Sequence, residues 1–232
     1  MYLLIEYYKS QNPRRDSEYI LCIKHNINNP ILKKIYVFIS DDSVLDINDE
    51  KIEIIKNTTR PTFLDFFRFC NENLKNEICV VANTDIIFDE SLKFIIDFEL
   101  ENIFLALTRW DLVPDGDNWM IRFYDFPWRH PNDTITTGYF SQDAWIFKPM
   151  IVLDDRLNFL MGKPGCDNRV SQILHENGYD VRNPSKQIII KHLHQSNFRT
   201  YTNNDIVPGP YLLIKPTDNI LTKPEIKTIP HF

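Results

Sequence analysis

A single acidic residue stands inside the most apolar part of the first half of the chain. In the stretch "CVVANTDIIFDESL", residues 79–92, the apolar run rises to Asn83 and Thr84, reaches Asp85 and resumes at once as Ile-Ile-Phe. Burying a carboxylate in such surroundings is unfavourable unless a charged or hydrogen-bonding partner compensates for its lost hydration. We therefore expect a hard divalent cation, shared with phosphate oxygens, to face Asp85.

Two histidines far along the chain can supply further ligands. His192 and His194 stand two positions apart in a β-prone segment, residues 186–202, and alternate residues of a strand share a face. If this strand lies beside residues 77–86, Asp85 and one histidine share a metal, and imidazole shifts the preference toward Mn²⁺. The plain structural interpretations are a turn-forming or helix-capping acid and hydrogen-bonded structural histidines.

Strand and helix signals alternate through the first half of the chain. β-rich runs are followed by segments in which apolar residues recur at helical spacing. The predicted strands are residues 2–8, 34–40, 51–57, 77–86 and 102–110. The predicted helices begin at Pro13, within residues 60–74 and after Asp89. This alternation predicts βαβ units and an α/β fold with a largely parallel sheet.

Polar side chains follow each of these predicted strands at the point where it ends. Ligands of parallel sheets gather beyond the carboxyl ends of the strands, so we expect a single crevice there. The side chains concerned are Tyr7, Tyr8, Asp41, Asp42, Arg60, Asn83, Thr84, Asp85, Arg109 and Asp111.

The second half of the chain is less regular. Residues 111–140 are rich in Trp, Pro and Asp and are predicted to form a long functional loop region. A short strand is expected at residues 142–148, and a helix opens near Asp167 after a Gly/Pro turn. The proline-rich residues 203–232 are predicted to run as an extended tail over the surface.

Composition indicates an ordinary globular protein and excludes few functions. The 232 residues, 43% hydrophobic and 25% charged, suit one large domain with a sizeable core. The formal charge of −6 argues against nucleic acid as the main partner but leaves room for a local basic pocket. With no long apolar stretch, no evident leader and four cysteines outside any C-x-x-C pair, we expect a cytoplasmic location without a membrane span.

The order of several motifs resembles the GT-A-fold glycosyltransferases, and specifically the small single-domain enzymes of this type found in large DNA viruses. The resemblance covers roughly residues 2–202. It implies a single Rossmann-like mixed sheet, mostly parallel and flanked by helices, and, if the protein is viral, the host cytoplasm as its location. The motifs are "YYKSQNPRR", "NTTRPTFLDFF", "VVANTDIIFDESL", "ALTRWD", "SQDAWIF", "GKPGCDNRV" and "HLHQSNFRTY". The implied parts of the domain are a nucleotide-binding half (1–110), an acceptor and metal half (111–202) and the C-terminal tail (203–232).

The resemblance implies a UDP-sugar type of donor and Mn²⁺ or Mg²⁺ on an Asp-x-Asp motif. This chain departs from the motif because Asn83 replaces the first acid, while Asp85 keeps the final one. His192 or His194 takes the place of the C-terminal metal ligand. An acid after the second strand would read uracil, a tyrosine after the first would flank its ring, and arginines would hold the phosphates. The implied donor contacts are Tyr7, Tyr8, Arg14, Asp41, Asp42, Arg60, Asn83, Thr84, Arg109 and Arg199.

Transfer of the sugar to a carbohydrate or glycoprotein acceptor with inversion also requires a base. Asp167 holds the implied place and Asp143 is the second candidate. A helix N-terminus lowers the pKa of a carboxyl, which suits a base poorly; if Asp167 only binds the acceptor, the enzyme retains configuration. A non-catalytic relic of the same fold that binds a nucleotide sugar or a carbohydrate is the rival hypothesis, because an acid is missing. A nucleotidyltransferase would need a glycine-rich loop after the first strand, and "KSQNPRR" contains no glycine.

Overall fold

The computed structural model describes residues 1–116, 118–123, 127–128, 136–137, 141–196 and 198–230. The α-helices in these ranges are α1 (Pro13–Ile27), α2 (Phe63–Asn73) and α3 (Cys166–Glu176). The strands are β1 (Tyr2–Glu6), β2 (Lys34–Ile39), β3 (Ile52–Lys56), β4 (Cys79–Ala82), β5 (Ile86–Phe88), β6 (Ile103–Leu107), β7 (Trp110–Asp115), β8 (Asn118–Phe123), β9 (Pro127–Trp128), β10 (Thr136–Thr137), β11 (Ala144–Phe147), β12 (Asp180–Arg182), β13 (Ile190–His192), β14 (Tyr211–Ile214) and β15 (Ile226–Ile229).

A seven-stranded sheet with the order β12-β6-β11-β4-β1-β2-β3 forms the centre of the fold. Its neighbouring strands pair in parallel except β11, which is antiparallel to both β4 and β6. The predicted mixed, mostly parallel sheet flanked by helices is therefore confirmed.

Local sequence explains where two of the flanking helices begin. Pro13 opens α1, and the side chain of Asn12 accepts a hydrogen bond of 3.0 Å from the N–H of Arg14. Helix α2 begins with a capping box, in which Thr62 and Asp65 each accept a hydrogen bond from the other's backbone N–H. Both helices lie where apolar periodicity predicted them.

Both faces of the central sheet are buried under other elements. Leu4 faces a hydrophobic cluster that includes α2 and α3, whereas Leu3 and Ile5 face a second cluster that includes α1. Successive strand residues point to opposite faces. A nearly continuous apolar run such as "YLLIE" is therefore what a strand covered on both sides requires.

A four-stranded sheet with the order β5-β13-β7-β8 carries much of the site described below. Strand β13 pairs antiparallel with β5 and parallel with β7, and β7 forms an antiparallel hairpin with β8. Much of the loop predicted for residues 111–140 is thus a hairpin, followed by the antiparallel pair β9 and β10. The half-exposed and exposed residues of the hairpin do not show the buried strand pattern, which explains why the prediction missed it. The remaining residues of the predicted loop, 117, 124–126, 129–135 and 138–140, lie outside the described residues.

Three further predictions need adjustment. The helix expected after Asp89 is a six-residue 3₁₀ helix, Glu90–Ile95, and Asp89 caps it as proposed. The strand expected within residues 186–202 is only Ile190–His192. The segment 102–110 divides between β6 and the first residue of β7.

The C-terminal segment is extended, but it does not lie wholly over the surface as predicted. Strands β14 and β15 pair antiparallel. All four residues of β14 are buried, and Leu212 and Ile214 join the same hydrophobic cluster as α3. Prolines flank this strand without interrupting it, which is why composition alone suggested a loose tail. No helix among the described residues has the length and apolar content needed to cross a membrane.

The packing of β14 predicts a clear stability difference between two leucines of this segment. Leu212 is fully buried, whereas Leu221 is 70% exposed. Leu212→Ala should lower the free energy of unfolding by about 2–4 kcal/mol, because it removes a buried side chain and leaves a cavity. Leu221→Ala is the matched control and should change it by less than about 0.5 kcal/mol. Urea denaturation of both variants measures the difference; equal values would show that β14 is not part of the core.

Candidate metal centre and active site

The candidate site is assembled where two distant segments of the chain meet. Asp85 lies between β4 and β5, and β13 lies beside β5 so that His192 is opposite Ile86. The backbone N–H of Leu193 donates a 2.9 Å hydrogen bond to the carbonyl oxygen of Asp85. A histidine strand beside residues 77–86 was the condition for a shared metal, and β13 meets that segment at its last residue, Ile86, with which β5 begins.

Asp85, His192 and His194 form a cluster suited to a metal ion. One ligand atom from each side chain lies within 4.8 Å of those of the other two. Asp85 and His192 are buried, and His194 is half-buried. The Oδ1 atom of Asp85 has no hydrogen-bond partner among the described residues. A buried carboxylate oxygen without a partner is unfavourable, and a dication would satisfy it. The donor set of one carboxylate and two imidazoles suits Mn²⁺ and other transition metals better than Mg²⁺.

Two side chains face the other oxygen of Asp85. The guanidinium of Arg15 forms an ion pair with Oδ2, and the Nε2 atom of His192 lies 3.1 Å from the same oxygen. Burial alone would raise the pKa of this carboxyl, but His192 and Arg15 hold it well below its usual range. Asp85 is therefore ionised at neutral pH and can bind a cation.

Each histidine uses one ring nitrogen to fix its orientation. The Nδ1 atom of His192 lies 2.8 Å from Asp111 Oδ1, and His194 Nε2 lies 3.1 Å from the carbonyl oxygen of Phe198. Donation to these acceptors leaves the second nitrogen of each ring available as a metal ligand, as in carboxylate–histidine–metal arrangements. Burial and the positive charge of Arg15 lower the pKa of His194 to about 4, so this ring is neutral at pH 7. Burial opposes the charge on His192, but Asp85 and Asp111 raise its pKa.

A cavity of about 360 Å³ lies over this cluster. It contains most of the side chains that the sequence selected. The predicted residues that line it are Tyr8, Arg60, Asn83, Thr84, Asp85, Arg109, Asp143, Asp167, His192, His194 and Arg199. A second cavity of about 220 Å³ shares Arg109, His192, His194 and Arg199 with the first. The cluster therefore stands between two solvent-accessible spaces.

Asp143 organises one wall of the larger cavity. It accepts hydrogen bonds from the amide of Asn83 at 2.9 Å and from the hydroxyl of Ser141 at 2.6 Å, and its Oδ2 lies 3.2 Å from Nη1 of Arg109. The Nε atom of Arg109 also lies 3.0 Å from Asp111. Asp143 is thus engaged in holding Arg109, which makes it a poorer candidate for the base than the sequence allowed.

The carboxyl of Asp167 has a higher pKa than the sequence suggested. It lies in the first turn of α3, and its Oδ2 accepts a 3.1 Å hydrogen bond from the backbone N–H of Gln142. The helix N-terminus was expected to lower its pKa. Burial dominates instead and raises the pKa to about 7, with a further contribution from Asp143. A carboxyl with this pKa is well suited to accept a proton at neutral pH.

The structure does not bring four of the predicted donor contacts to the cavity. The buried Tyr7 donates a 3.1 Å hydrogen bond to Asp16, and Asp41 accepts the N–H of Ser43 in an exposed turn. Side chains with such local roles are common at the ends of strands. The residues that do not line the cavity are Tyr7, Arg14, Asp41 and Asp42.

Four of the cavity residues that the sequence did not single out as site residues bear on the chemistry, namely Glu6, Arg15, Gln142 and Lys163. Arg15 contacts Asp85, and the buried carboxylate of Glu6 holds Arg60 through two bonds of 2.7 and 2.6 Å. Gln142 and Lys163 lie in the wall near Asp167. The motifs "YYKSQNPRR" and "SQDAWIF" contain Arg15 and Gln142, but only the tertiary structure shows that these side chains face inward.

No protein-family model matches the chain, and no curated protein is significantly similar to it. Several solved structures do resemble it. The inositol-1-phosphate CTP transferase from T. maritima superposes with a TM-score of 0.50 at 11% identity, covering 86% of this chain and 91% of that one. The 4-diphosphocytidyl-2C-methyl-D-erythritol synthase from Anaerococcus prevotii gives a TM-score of 0.48 at 13% identity, covering 89% and 94%.

A third similar structure is the 2-C-methyl-D-erythritol 4-phosphate cytidylyltransferase of Francisella tularensis, with a TM-score of 0.45 at 13% identity over 88% of this chain and 95% of that one. At these identities the similarity shows a shared fold alone, since one fold serves many functions. The superposition with the T. maritima structure, whose fold is that of the nucleotidyltransferases, agrees with the predicted fold class. These structures show no relationship to viral enzymes.

Proposed function

We propose that this chain is a metal-dependent glycosyltransferase that moves a sugar from a nucleoside-diphosphate sugar of the uridine type to an acceptor hydroxyl. The observation that carries the proposal is the cluster of Asp85, His192 and His194, whose ligand atoms lie within 4.8 Å of one another beneath a cavity lined by several cationic side chains. The partnerless Oδ1 of Asp85 supports the fit of a cation to these residues.

When bound, a dication at these three side chains would stabilise negative charge on the departing nucleoside diphosphate. The chain's own cations act on the same charge. Arg109 is fixed between Asp143 and Asp111, and Lys163 and Arg199 also face the cavity. A positive group held in place as Arg109 is favours the transition state more than the ground state, because the charge grows as the sugar–phosphate bond breaks.

Asp167 supplies the base. The acceptor oxygen forms a bond to the anomeric carbon, the sugar–phosphate bond breaks, and the diphosphate leaves with that electron pair. The proton of the acceptor hydroxyl passes to the Asp167 carboxylate, which the N–H of Gln142 holds in place. One displacement with a base on the acceptor side inverts the anomeric configuration. For the nucleobase, Tyr8 and Arg60 remain the candidate contacts within the cavity.

Nucleotidyl transfer is the second candidate, because the similar structure from T. maritima is a CTP transferase. Residues 7–12, which connect β1 to α1, contain no glycine. A glycine-poor loop presents fewer backbone N–H groups to a triphosphate at close range. Glycosyl transfer therefore remains the better supported of the two reactions.

Product analysis separates these functions in one experiment. Purified protein with Mn²⁺ is given a panel of nucleotide sugars with carbohydrate acceptors, and separately nucleoside triphosphates with sugar phosphates. We expect free nucleoside diphosphate from a uridine donor and loss of the signal with chelator. Pyrophosphate release would favour nucleotidyl transfer. Nucleotide binding without either product would favour the non-catalytic relic.

Arg199 and Arg14 offer a matched test of donor binding. Arg199 lines both cavities, where its guanidinium contacts the hydroxyl and the ring of Tyr201, whereas Arg14 does not line the larger cavity. Arg199→Ala should weaken UDP binding in the presence of Mn²⁺ by about tenfold, because it removes one charge contact to the diphosphate. Arg14→Ala should leave the affinity unchanged. Calorimetric titration measures both, and the reverse order of effects would contradict the placement of the diphosphate.

A further inference from the structure

Glu18 is a buried acid of α1 that the mechanism above does not use. Its side chain is about as buried as that of Arg15, one turn earlier on the same helix, and the two form an ion pair of 2.9 Å. Removing two charges from water is costly, so burial of the Arg15–Glu18 pair requires compensating interactions. The other hydrogen bonds of Glu18 provide them.

The carboxylate of Glu18 holds the segment that immediately follows the metal-binding histidines. Its Oε1 accepts the backbone N–H groups of Gln195 and Ser196, each at 2.8 Å, and its Oε2 accepts the hydroxyl of Ser196 at 3.0 Å. His194 is the residue directly before Gln195. Glu18 therefore fixes the chain next to a candidate ligand of the metal.

Through Arg15 the same carboxylate also reaches the opposite side of the cluster. One guanidinium nitrogen, Nη1, binds Glu18 and lies 3.3 Å from the carbonyl oxygen of Leu193, while Nη2 binds Asp85. Asp85 and His194 are more than a hundred residues apart in sequence. Helix α1 thus connects both sides of the cluster through two side chains.

From these contacts we infer that Glu18 is a positioning residue for the metal centre, acting through Arg15 on Asp85 and through the backbone of residues 195 and 196 on His194. The inference rests on the proposed function, which supplies the metal. Loss of the Glu18 charge would leave Asp85 as the one described carboxylate within 4.0 Å of Arg15. The guanidinium would then compete more strongly with a cation for Asp85.

The test is Mn²⁺ affinity, measured by electron paramagnetic resonance on the full chain with MnCl₂ alone. Glu18→Gln should raise the Mn²⁺ dissociation constant by about 10–100-fold, the usual effect of losing an outer partner of a metal ligand. Glu72→Gln, an exposed residue of α2, is the matched control and should bind as the unaltered chain does. Ser196→Ala removes one of the four donors and should give a smaller change in the same direction.

Thermal unfolding without metal distinguishes positioning from a purely structural role. If Glu18 only stabilises the fold, Glu18→Gln and Ser196→Ala will lower the melting temperature while the Mn²⁺ dissociation constant of the folded protein stays unchanged, and the inference is overturned. If the unaltered chain binds no Mn²⁺, the proposed metal centre is wrong and the inference falls with it. If Glu18→Gln does not fold, an unchanged Mn²⁺ dissociation constant in Ser196→Ala overturns the inference.

Discussion

Asp167→Asn should lower the rate of glycosyl transfer by about 10²–10⁴-fold, while UDP binding in the presence of Mn²⁺ stays unchanged. The amide has the size of the carboxyl and can still accept the N–H of Gln142 through its oxygen. It cannot accept a proton from the acceptor hydroxyl. The effect should therefore appear in turnover and not in donor affinity, which steady-state kinetics and calorimetry measure separately.

The pH profile gives this prediction a second readout. Burial raises the pKa of Asp167 to about 7, so the carboxyl is protonated and inactive as a base below that value. The transfer rate of the unaltered chain should rise about tenfold for each pH unit well below 7 and level off above it. Asp167→Asn should remove this dependence, and the exposed Asp155→Asn should keep it. A pH profile that survives in Asp167→Asn would assign the base to another group.

Asp85→Ala should reduce Mn²⁺-dependent turnover by about 10²–10³-fold or more, because metal-assisted stabilisation of the leaving diphosphate depends on this carboxylate. The variant should also bind Mn²⁺ far more weakly. Exposed Asp97→Ala is the control for a change of one negative charge. Turnover that persists in Asp85→Ala, or that resists complete removal of divalent metal, would contradict the assignment.

Asp85→Ala also breaks a buried ion pair, so the folding of this variant is measured separately. Arg15 and His192 both face Asp85, and leaving the buried charge of Arg15 without that partner destabilises a protein by about 3–5 kcal/mol. Asp85→Asn keeps the volume and part of the hydrogen bonding. Circular dichroism and thermal unfolding of both variants show whether turnover is lost while the protein is still folded. A loss of turnover seen only in unfolded samples would not support a metal-binding role for Asp85.

The sequence was sufficient to predict the elements that build the central sheet. Apolar runs identified β1, β2 and β4, Pro13 marked the start of α1, and apolar residues at helical spacing within 60–74 identified α2, because these signals are local. The buried position of Asp85 followed from its apolar neighbours. The hairpin of β7 and β8 was missed because its exposed pairing gives no buried pattern, and β14 was missed because its prolines suggested a loose chain.

The partners of Asp85 required the tertiary structure. A charged residue in the first turns of a helix is usually solvated, and only the packing of α1 against β5 and the 193–196 segment places Arg15 on Asp85. Likewise, the pKa of Asp167 depends on two opposing effects, the helix N-terminus and burial, and their relative size follows from how deeply the carboxyl is set. Neither the contact between Arg15 and Asp85 nor the pKa of Asp167 can be predicted from the spacing of residues along the chain.

Binding of one divalent cation by Asp85, His192 and His194 together is the premise of the proposed function. Pulsed electron paramagnetic resonance of the chain with one equivalent of Mn²⁺ tests it most directly, because directly bound imidazole nitrogen couples to the electron spin. We expect nitrogen coupling that weakens in His192→Ala and in His194→Ala and is lost with Asp85→Ala. Mn²⁺ that remains free, or a bound ion without nitrogen coupling, would contradict it.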